Sequence, residues 1–260
     1  MKRLPRRLQY GEEATLVEHL EELRQRMFVC LGVLAIAFIV AFAFHRHILA
    51  LMNKPLPHAV GKPVTFGVTE PFLTSTWVSL YAAFLVSLPV ILWQAWSFFM
   101  PAVDRVHERM MLVFVLSAAV LLVVGMVFGY YLALPAAVHF LTHYDDTQYH
   151  VMIQARSYYS FTAMVLFAMG IVFELPLFVL GMVQLGILST AKLRRSRRVG
   201  YFIVACIGVA LPGIDPITTL IETIPLWILY ELSIWLSVLV ERRHPAPAEA
   251  PVEAPGMPGS

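Results

Sequence analysis

The sequence predicts an all-α integral membrane protein: a polytopic bundle of six transmembrane helices, both termini in the cytoplasm, the last two helices short. The first observation is composition, because 59% of the 260 residues are hydrophobic and only 14% are charged, which is more apolar than a soluble domain needs. The second is that apolar stretches long enough to cross about 30 Å of hydrocarbon recur along the chain. The third is that Lys and Arg are concentrated in alternate loops.

The chain begins with a basic, polar segment, residues 1–14, and the membrane domain is expected over residues 15–241. Thr15 and Glu18 fit a capping box, so a helix should begin here. The spacing of its apolar residues predicts an amphipathic helix on the membrane surface before a first span over about 28–44. We expect no cleavable signal peptide, because the basic segment leads into a span too long for a signal-peptide core.

Three further spans are predicted over about 76–98, 110–134 and 164–185, separated by polar segments expected to include short helices. The third of these contains one carboxylate in its middle, Glu174, followed by Pro176. A carboxylate at membrane depth is costly unless it faces protein, water or a partner, and a proline bends the helix and frees carbonyls. The alternatives for Glu174 are a polar contact to a neighbouring helix or a functional site, and we favour the site.

The last two spans are predicted to be short. The fifth, over 199–211, has about 13 residues, or about 20 Å of helix, which is less than a hydrocarbon core. The turn that follows contains Asp215, which can cap the next helix, and Pro216, which fits its first position. The sixth span carries Glu231. Two adjacent short spans imply local thinning of the bilayer or shielding by a partner.

The distribution of positive charge predicts the orientation. Fifteen of the 19 Lys and Arg residues lie in the N-terminal region, the loops 100–109 and 186–198, and the start of the tail, whereas four lie in the other polar segments. The positive-inside rule then places both termini in the cytoplasm. Residues 242–260 are rich in Pro and Ala and are expected to form a disordered cytoplasmic tail.

Several functional classes lack support in the sequence. There is no phosphate-binding loop, GxSxG or HExxH motif, so a pump driven by ATP, a hydrolase or another membrane enzyme is not indicated. His139 and His143 have metal-ligand spacing but no third ligand nearby, and we expect neither a metal nor a cofactor. The alternative function is a proton-coupled secondary transporter using Glu174 and Glu231. Against it, no inverted repeat is visible and only these two acids lie in the middle of spans.

Several short motifs follow one another in a family-specific order. They are HLEELRQR (19–26), LWQAWSFFMPA (92–102) with a following Glu-Arg pair (108–109), FELP (173–176), LPGIDP (211–216) and LYE (229–231). Together they resemble TatC, the multispanning subunit of the twin-arginine protein translocase, over about residues 15–240.

This resemblance implies a non-enzymatic function: the signal-peptide-recognising core subunit of a translocase in the cytoplasmic (inner) membrane. Such a subunit exports folded proteins using the proton-motive force and binds the paired arginines of precursor signal peptides. The implied partners are single-span subunits of the twin-arginine translocase, the signal peptides themselves and the lipid bilayer. No nucleic-acid partner is implied. A homo-oligomer within a hetero-oligomeric complex is also implied.

The resemblance also assigns roles to individual residues. Glu22 and Glu108 match the arginine-binding acids of the family, and Arg24 matches a nearby basic position. Glu174 matches the membrane-buried acid, and Asp215 matches the acid of the outer turn.

The sequence alone is also compatible with other interpretations of these positions. Glu22 could pair with Arg26 four residues later, as a purely structural contact. Glu108 near a helix N-terminus is favoured by the helix dipole alone. The loop before it is one residue longer than the usual form, so Asp104 is an alternative that shares its role. Thr219 stands where the family often has Gln.

Overall fold

The computed structural model describes residues 16–57, 61–99, 105–144, 152–184, 187–213 and 215–243, and these are predominantly helical. A π-helical turn, Gly129–Ala133, joins the fourth helix to the fifth. The α-helices within the described residues are α1 Leu16–Ala43, α2 His45–Met52, α3 Glu70–Phe99, α4 Arg105–Phe128, α5 Leu134–His143, α6 Ala155–Phe173, α7 Leu175–Gln184, α8 Thr190–Arg195, α9 Arg197–Ala210 and α10 Pro216–Arg243.

Within the described residues, five helical stretches are long and apolar enough to cross a membrane: Leu20–Ala43, Glu70–Ala95, Leu112–His143, Ala155–Gln184 and Pro216–Glu241. The shorter α9 is a sixth helix that runs antiparallel to α10. It has 14 residues, which agrees with the length predicted for the fifth span. The prediction of a short last helix is wrong, because α10 has 28 residues. Its internal Pro225 does not end the helix, and polar residues along it are buried against neighbouring helices.

Two helices begin or end inside segments that the sequence suggested were polar loops. The third span continues through the π-helical turn into α5, where Pro135 is among the first residues. Proline supplies no amide donor, and a local π-helical turn accommodates such an irregularity without ending the span. The fourth span starts at Ala155, and Tyr158 and Thr162 in its first turns are buried.

Glycines let α4 approach α6 closely. A side-chain carbon at Gly125 would lie 2.6 Å from the carbonyl oxygen of Met169, and one at Gly129 would lie 3.1 Å from the same residue's Cβ. From the other side, a carbon at Gly170 would lie 3.0 Å from Leu122. Small residues at four-residue spacing permit such backbone contact in membranes. This packing holds α6 in the centre of the bundle.

One end of the bundle, here named the cap end, contains α2, residues 61–69 and the starts of α3 and α6. Glu70 is buried there and accepts hydrogen bonds from the amide of Phe66 at 2.8 Å, the side chain of Gln154 at 3.0 Å and the amide of Arg156 at 3.3 Å. A buried carboxylate satisfied by several donors is stable. Glu70 therefore joins three segments of the cap end.

The opposite end, here named the basic end, contains the start of α1, the end of α3, the start of α4, α8, the start of α9 and the end of α10. α9 packs on α10 through two glycines. A side-chain carbon at Gly200 would overlap the phenol of Tyr230, and one at Gly208 would overlap the hydroxyl of Thr223. The two glycines therefore leave room for side chains of α10 at two points along α9.

Candidate functional site

Glu22, the first predicted arginine-binding acid, lies near the start of α1 at the basic end and already pairs with a guanidinium. Its Oε1 accepts hydrogen bonds from Nε of Arg26 at 3.0 Å and from Nη2 of Arg26 at 2.5 Å. The same guanidinium reaches α3, where it donates to the side chain of Gln94 at 3.1 Å and to the carbonyl of Ser97 at 3.0 Å. The i, i+4 pair considered from the sequence therefore exists, and it also joins two helices.

Glu22 nevertheless remains open to an incoming ligand. About a third of its side chain is exposed (34%), and both hydrogen bonds from Arg26 go to Oε1. Since a carboxylate offers about four lone-pair positions, Glu22 can accept a second cation while it holds Arg26.

Arg24, the predicted basic neighbour, points elsewhere. It forms an ion pair at 3.2 Å with Glu21, and both side chains are largely exposed. Exposed pairs of this kind contribute less than about 1 kcal/mol. Arg24 is therefore placed at the basic end beside Glu22 without contacting its carboxylate.

Glu108, the second predicted acid, is the fourth residue of α4. Because α3 ends and α4 begins at the basic end, this position is at the same end of the bundle as Glu22. The contacts of the Glu108 side chain are outside the described part of the chain, as is Asp104, the alternative for the same role.

Glu174 stands at the break between α6 and α7. It is buried, with 7% of its surface exposed, and neither carboxylate oxygen has a hydrogen-bond partner among the described residues. The following Pro176 lies in the first turn of α7, where a missing amide is tolerated. The preceding Phe173 packs in a cluster with Met169 and Leu229 of α10. The acid is thus held inside the bundle by apolar neighbours.

Glu231, the other predicted mid-span acid, is fully paired. The hydroxyl of Tyr201 donates to its Oε1, and Arg197 of α9 lies 3.4 Å from its Oε2. The residue borders an open groove of about 580 Å³ that Tyr201, Trp227 and Ile228 also line. Its contacts identify it as a link between α9 and α10.

Asp215 begins α10 as predicted. Its Oδ1 accepts a hydrogen bond from the amide of Thr218 at 2.8 Å, and Pro216 is the first helical residue. The carboxylate is buried, and its Oδ2 has no partner among the described residues. Thr219 bonds back to the Asp215 carbonyl at 2.9 Å.

A third acid at membrane depth was missed by the sequence reasoning. Glu222, in the second turn of α10, is completely buried, and no described residue bonds to either of its carboxylate oxygens. A side-chain carbon at Gly213 would lie 3.1 Å from its Oε2. The statement that only two acids lie in mid-span is therefore wrong. An acid inside a predominantly apolar 26-residue stretch, which also carries Glu231, was the available signal.

The histidine pair is a local surface feature. The rings of His139 and His143 stack with centroids 4.3 Å apart, and Nδ1 of His143 lies 2.8 Å from the carbonyl of His139. Among the residues that the structure describes, no group of three or more His, Cys, Asp or Glu side chains is placed to hold a metal.

The fold and these side chains define a multi-pass helical membrane protein with buried acids at bilayer depth and a charged surface at its basic end. The chain belongs to the family described as the Sec-independent protein translocase protein TatC, whose family model matches residues 18–225. It is therefore a component of a protein translocase, and the secondary-transporter alternative is not favoured.

Several relatives support this membership over most of the chain. The TatCd protein of Bacillus subtilis is 31% identical over 233 residues, covering 90% of this chain and 95% of the relative. The TatC protein of Carboxydothermus hydrogenoformans is 32% identical over 231 residues, covering 88% of this chain and 95% of the relative.

A crystal structure of the twin arginine translocase receptor TatC in the detergent DDM is similar to this fold. It superposes with a TM-score of 0.74 at 29% identity and covers 85% of this chain and 99% of the solved one. That structure has six transmembrane helices, which confirms the predicted six-span all-α bundle.

Proposed function

We propose that this chain is the signal-peptide-recognising core subunit of a twin-arginine translocase in the cytoplasmic (inner) membrane. It exports folded proteins using the proton-motive force. The charge bias of the loops supports an orientation with the basic end in the cytoplasm. Precursors then reach the surface formed by the starts of α1 and α4.

The observation that carries the proposal is the partly exposed carboxylate of Glu22 at the same end of the bundle as Glu108. Two carboxylates can accept charge-assisted, bidentate hydrogen bonds from two guanidiniums. The compact ammonium of Lys reproduces this geometry poorly. A signal peptide with paired arginines and an apolar stretch is complementary to two acids beside apolar helices. Glu22 and Glu108 are accordingly the arginine-binding acids of this proposal. Arg24 lies beside Glu22 at the edge of this signal-peptide site.

The exposed surface of α1 also supports contacts with helices of partner subunits. Only 6% of the most apolar window of α1 is buried within the chain, so most of this helix is left for lipid or other helices. Single-span subunits of the translocase and further copies of this chain are the occupants that the proposal includes. Glu174 and Asp215 then belong to the machinery that acts after recognition.

Crosslinking of a twin-arginine precursor to the chain in membranes tests the proposal. We expect Glu22→Ala or Glu108→Ala to weaken crosslinking about ten-fold or more, because each desolvated charge-assisted contact contributes roughly 1.5–3 kcal/mol. Glu249→Ala in the tail is the control and should crosslink normally. Undiminished crosslinking in the Glu22→Ala, Glu108→Ala double variant would reject this assignment.

A further inference from the structure

The guanidinium of Arg26 uses its complete set of donors. Its Nε and Nη2 bond to Glu22, Nη2 also bonds to the Ser97 carbonyl, and Nη1 bonds to the side chain and the carbonyl of Gln94, at 3.1 and 3.5 Å. A guanidinium has five N–H donors, and these five contacts account for all of them. Arg26 is therefore held rigidly by two helices.

These contacts have two consequences for Glu22. Both bonds from Arg26 go to Oε1, so the carboxylate is oriented with Oε2 away from the guanidinium. The remaining contacts join α1 to the end of α3, since Ser97 is among the last four residues of that helix, whose carbonyls lack helical partners. α3 leads into the connection to α4, where Glu108 lies.

We propose that Arg26 is the positioning residue for arginine recognition: it fixes the Glu22 carboxylate with one oxygen presented outward and ties that acid to the helix preceding Glu108. The inference rests on the proposed function of Glu22 and names a residue that this function alone does not require. Arg26 acts through Glu22 and does not contact the signal peptide.

The geometry opposes the converse role, in which Arg26 occupies the site as a competitor for the arginines of the peptide. A competitor must leave the acid when the ligand arrives. Arg26 would then give up bonds to Glu22 while its contacts with Gln94 and Ser97 hold it in place. The two roles predict opposite signs, because loss of a competitor strengthens peptide binding and loss of a positioning residue weakens it.

The test uses the full chain in lipid nanodiscs and a fluorescent signal peptide carrying either paired arginines or paired lysines. Arg26→Gln should weaken binding of the arginine peptide about ten-fold, equivalent to about 1.4 kcal/mol, and reduce the preference for arginine over lysine. Arg26→Lys keeps the positive charge but lacks the planar guanidinium, and it should show most of the same loss of binding. Arg46→Gln, at an exposed arginine of α2, is the matched control and should bind like the unchanged chain.

A double-mutant cycle separates positioning from a general structural effect. If Arg26 acts through the carboxylate, Arg26→Gln adds no further loss in a Glu22→Gln background. An additive loss there, tighter binding, or no change in either Arg26 variant would each overturn the inference. An unchanged chain that binds both peptides equally would instead reject the proposed function, and the inference with it. Arg26→Lys supplies the measurement if Arg26→Gln does not assemble.

Discussion

Two acids that look alike in the sequence, Glu174 and Glu231, have different surroundings in the bundle. Glu231 is bound by Tyr201 and Arg197 across the α9–α10 contact. Glu174 lies at the α6–α7 break with 7% of its surface exposed and no hydrogen-bond partner among the described residues. Glu231 stabilises the packing of two helices. The carboxylate of Glu174 makes no such contact with the described residues.

Pairing by neighbouring helices distinguishes a structural intramembrane acid from a functional candidate. An acid that is paired by neighbouring helices has a structural reason to be present. An acid that is buried without partners lowers stability, and its retention needs another reason. By this criterion Glu174 and Glu222 are the functional candidates at membrane depth.

The largest expected effect is all-or-none and concerns the orientation of the chain in the membrane. A reporter that is active only outside the cytoplasm should be active when fused near Lys62, His143 or Asp215, because these positions are on the side poor in Lys and Arg. Fusions near Asp104, Arg195 or Glu249 should be inactive. Reporter activity at Arg195 would refute the six-span orientation, since the loop there carries the largest basic cluster.

The next largest effect is expected at the unpaired acid. Glu174→Leu should abolish export of a folded reporter and leave the thermal stability of the chain unchanged or higher, because it removes an unsatisfied buried carboxylate. Glu174→Gln should assemble normally, whereas Glu174→Arg should not accumulate, since it buries a cation without a partner. Export and melting temperature are the two measurements. Normal export by Glu174→Leu would show that the acid has no functional role.

The paired acid should respond in the opposite way. Glu231→Gln removes the anion that Arg197 and Tyr201 contact and should lower the free energy of unfolding by about 1–3 kcal/mol. Denaturant unfolding in detergent measures this change, with Glu249→Gln in the tail as the control. Equal stability of the Glu231→Gln and control proteins would remove the distinction between the two acids.

An effect of similar size is expected in the packing beneath the paired acid. Gly200→Ala places a methyl group against the phenol of Tyr230 and should destabilise the chain by about 1–3 kcal/mol through overpacking. Gly32→Ala is the matched control, because nothing lies within 4 Å of the added carbon. Adding Tyr230→Phe should recover part of the loss. A Gly200→Ala protein as stable as the Gly32→Ala protein would contradict the close α9–α10 contact.

The features that the sequence predicted correctly depend on residues close together in the chain. Asp215 caps the helix that begins at the next residue, and Glu22 pairs with Arg26 one helical turn later. The number of spans follows from the length of apolar stretches, which is a local property as well. The six-span fold could therefore be deduced before any contact between helices was known.

The features that it did not predict depend on distant parts of the chain. The contact of Arg26 with Gln94 joins residues 68 positions apart, and the partners of Glu231 come from another helix. The complete burial of Glu222 likewise depends on helices that are distant in the sequence. The last helix, predicted to be short, has 28 residues, and Pro225 lies inside it without ending it.

Recognition of paired arginines by Glu22 and Glu108 is tested by the ratio of dissociation constants for paired-lysine and paired-arginine signal peptides, measured on the full chain in nanodiscs. We predict a preference for arginine of about ten-fold or more in the unchanged chain and in Glu174→Gln, since the latter acid lies at bilayer depth. The preference should be lost in the Glu22→Gln, Glu108→Gln double variant. An arginine preference that persists in the double variant would contradict recognition by these two acids.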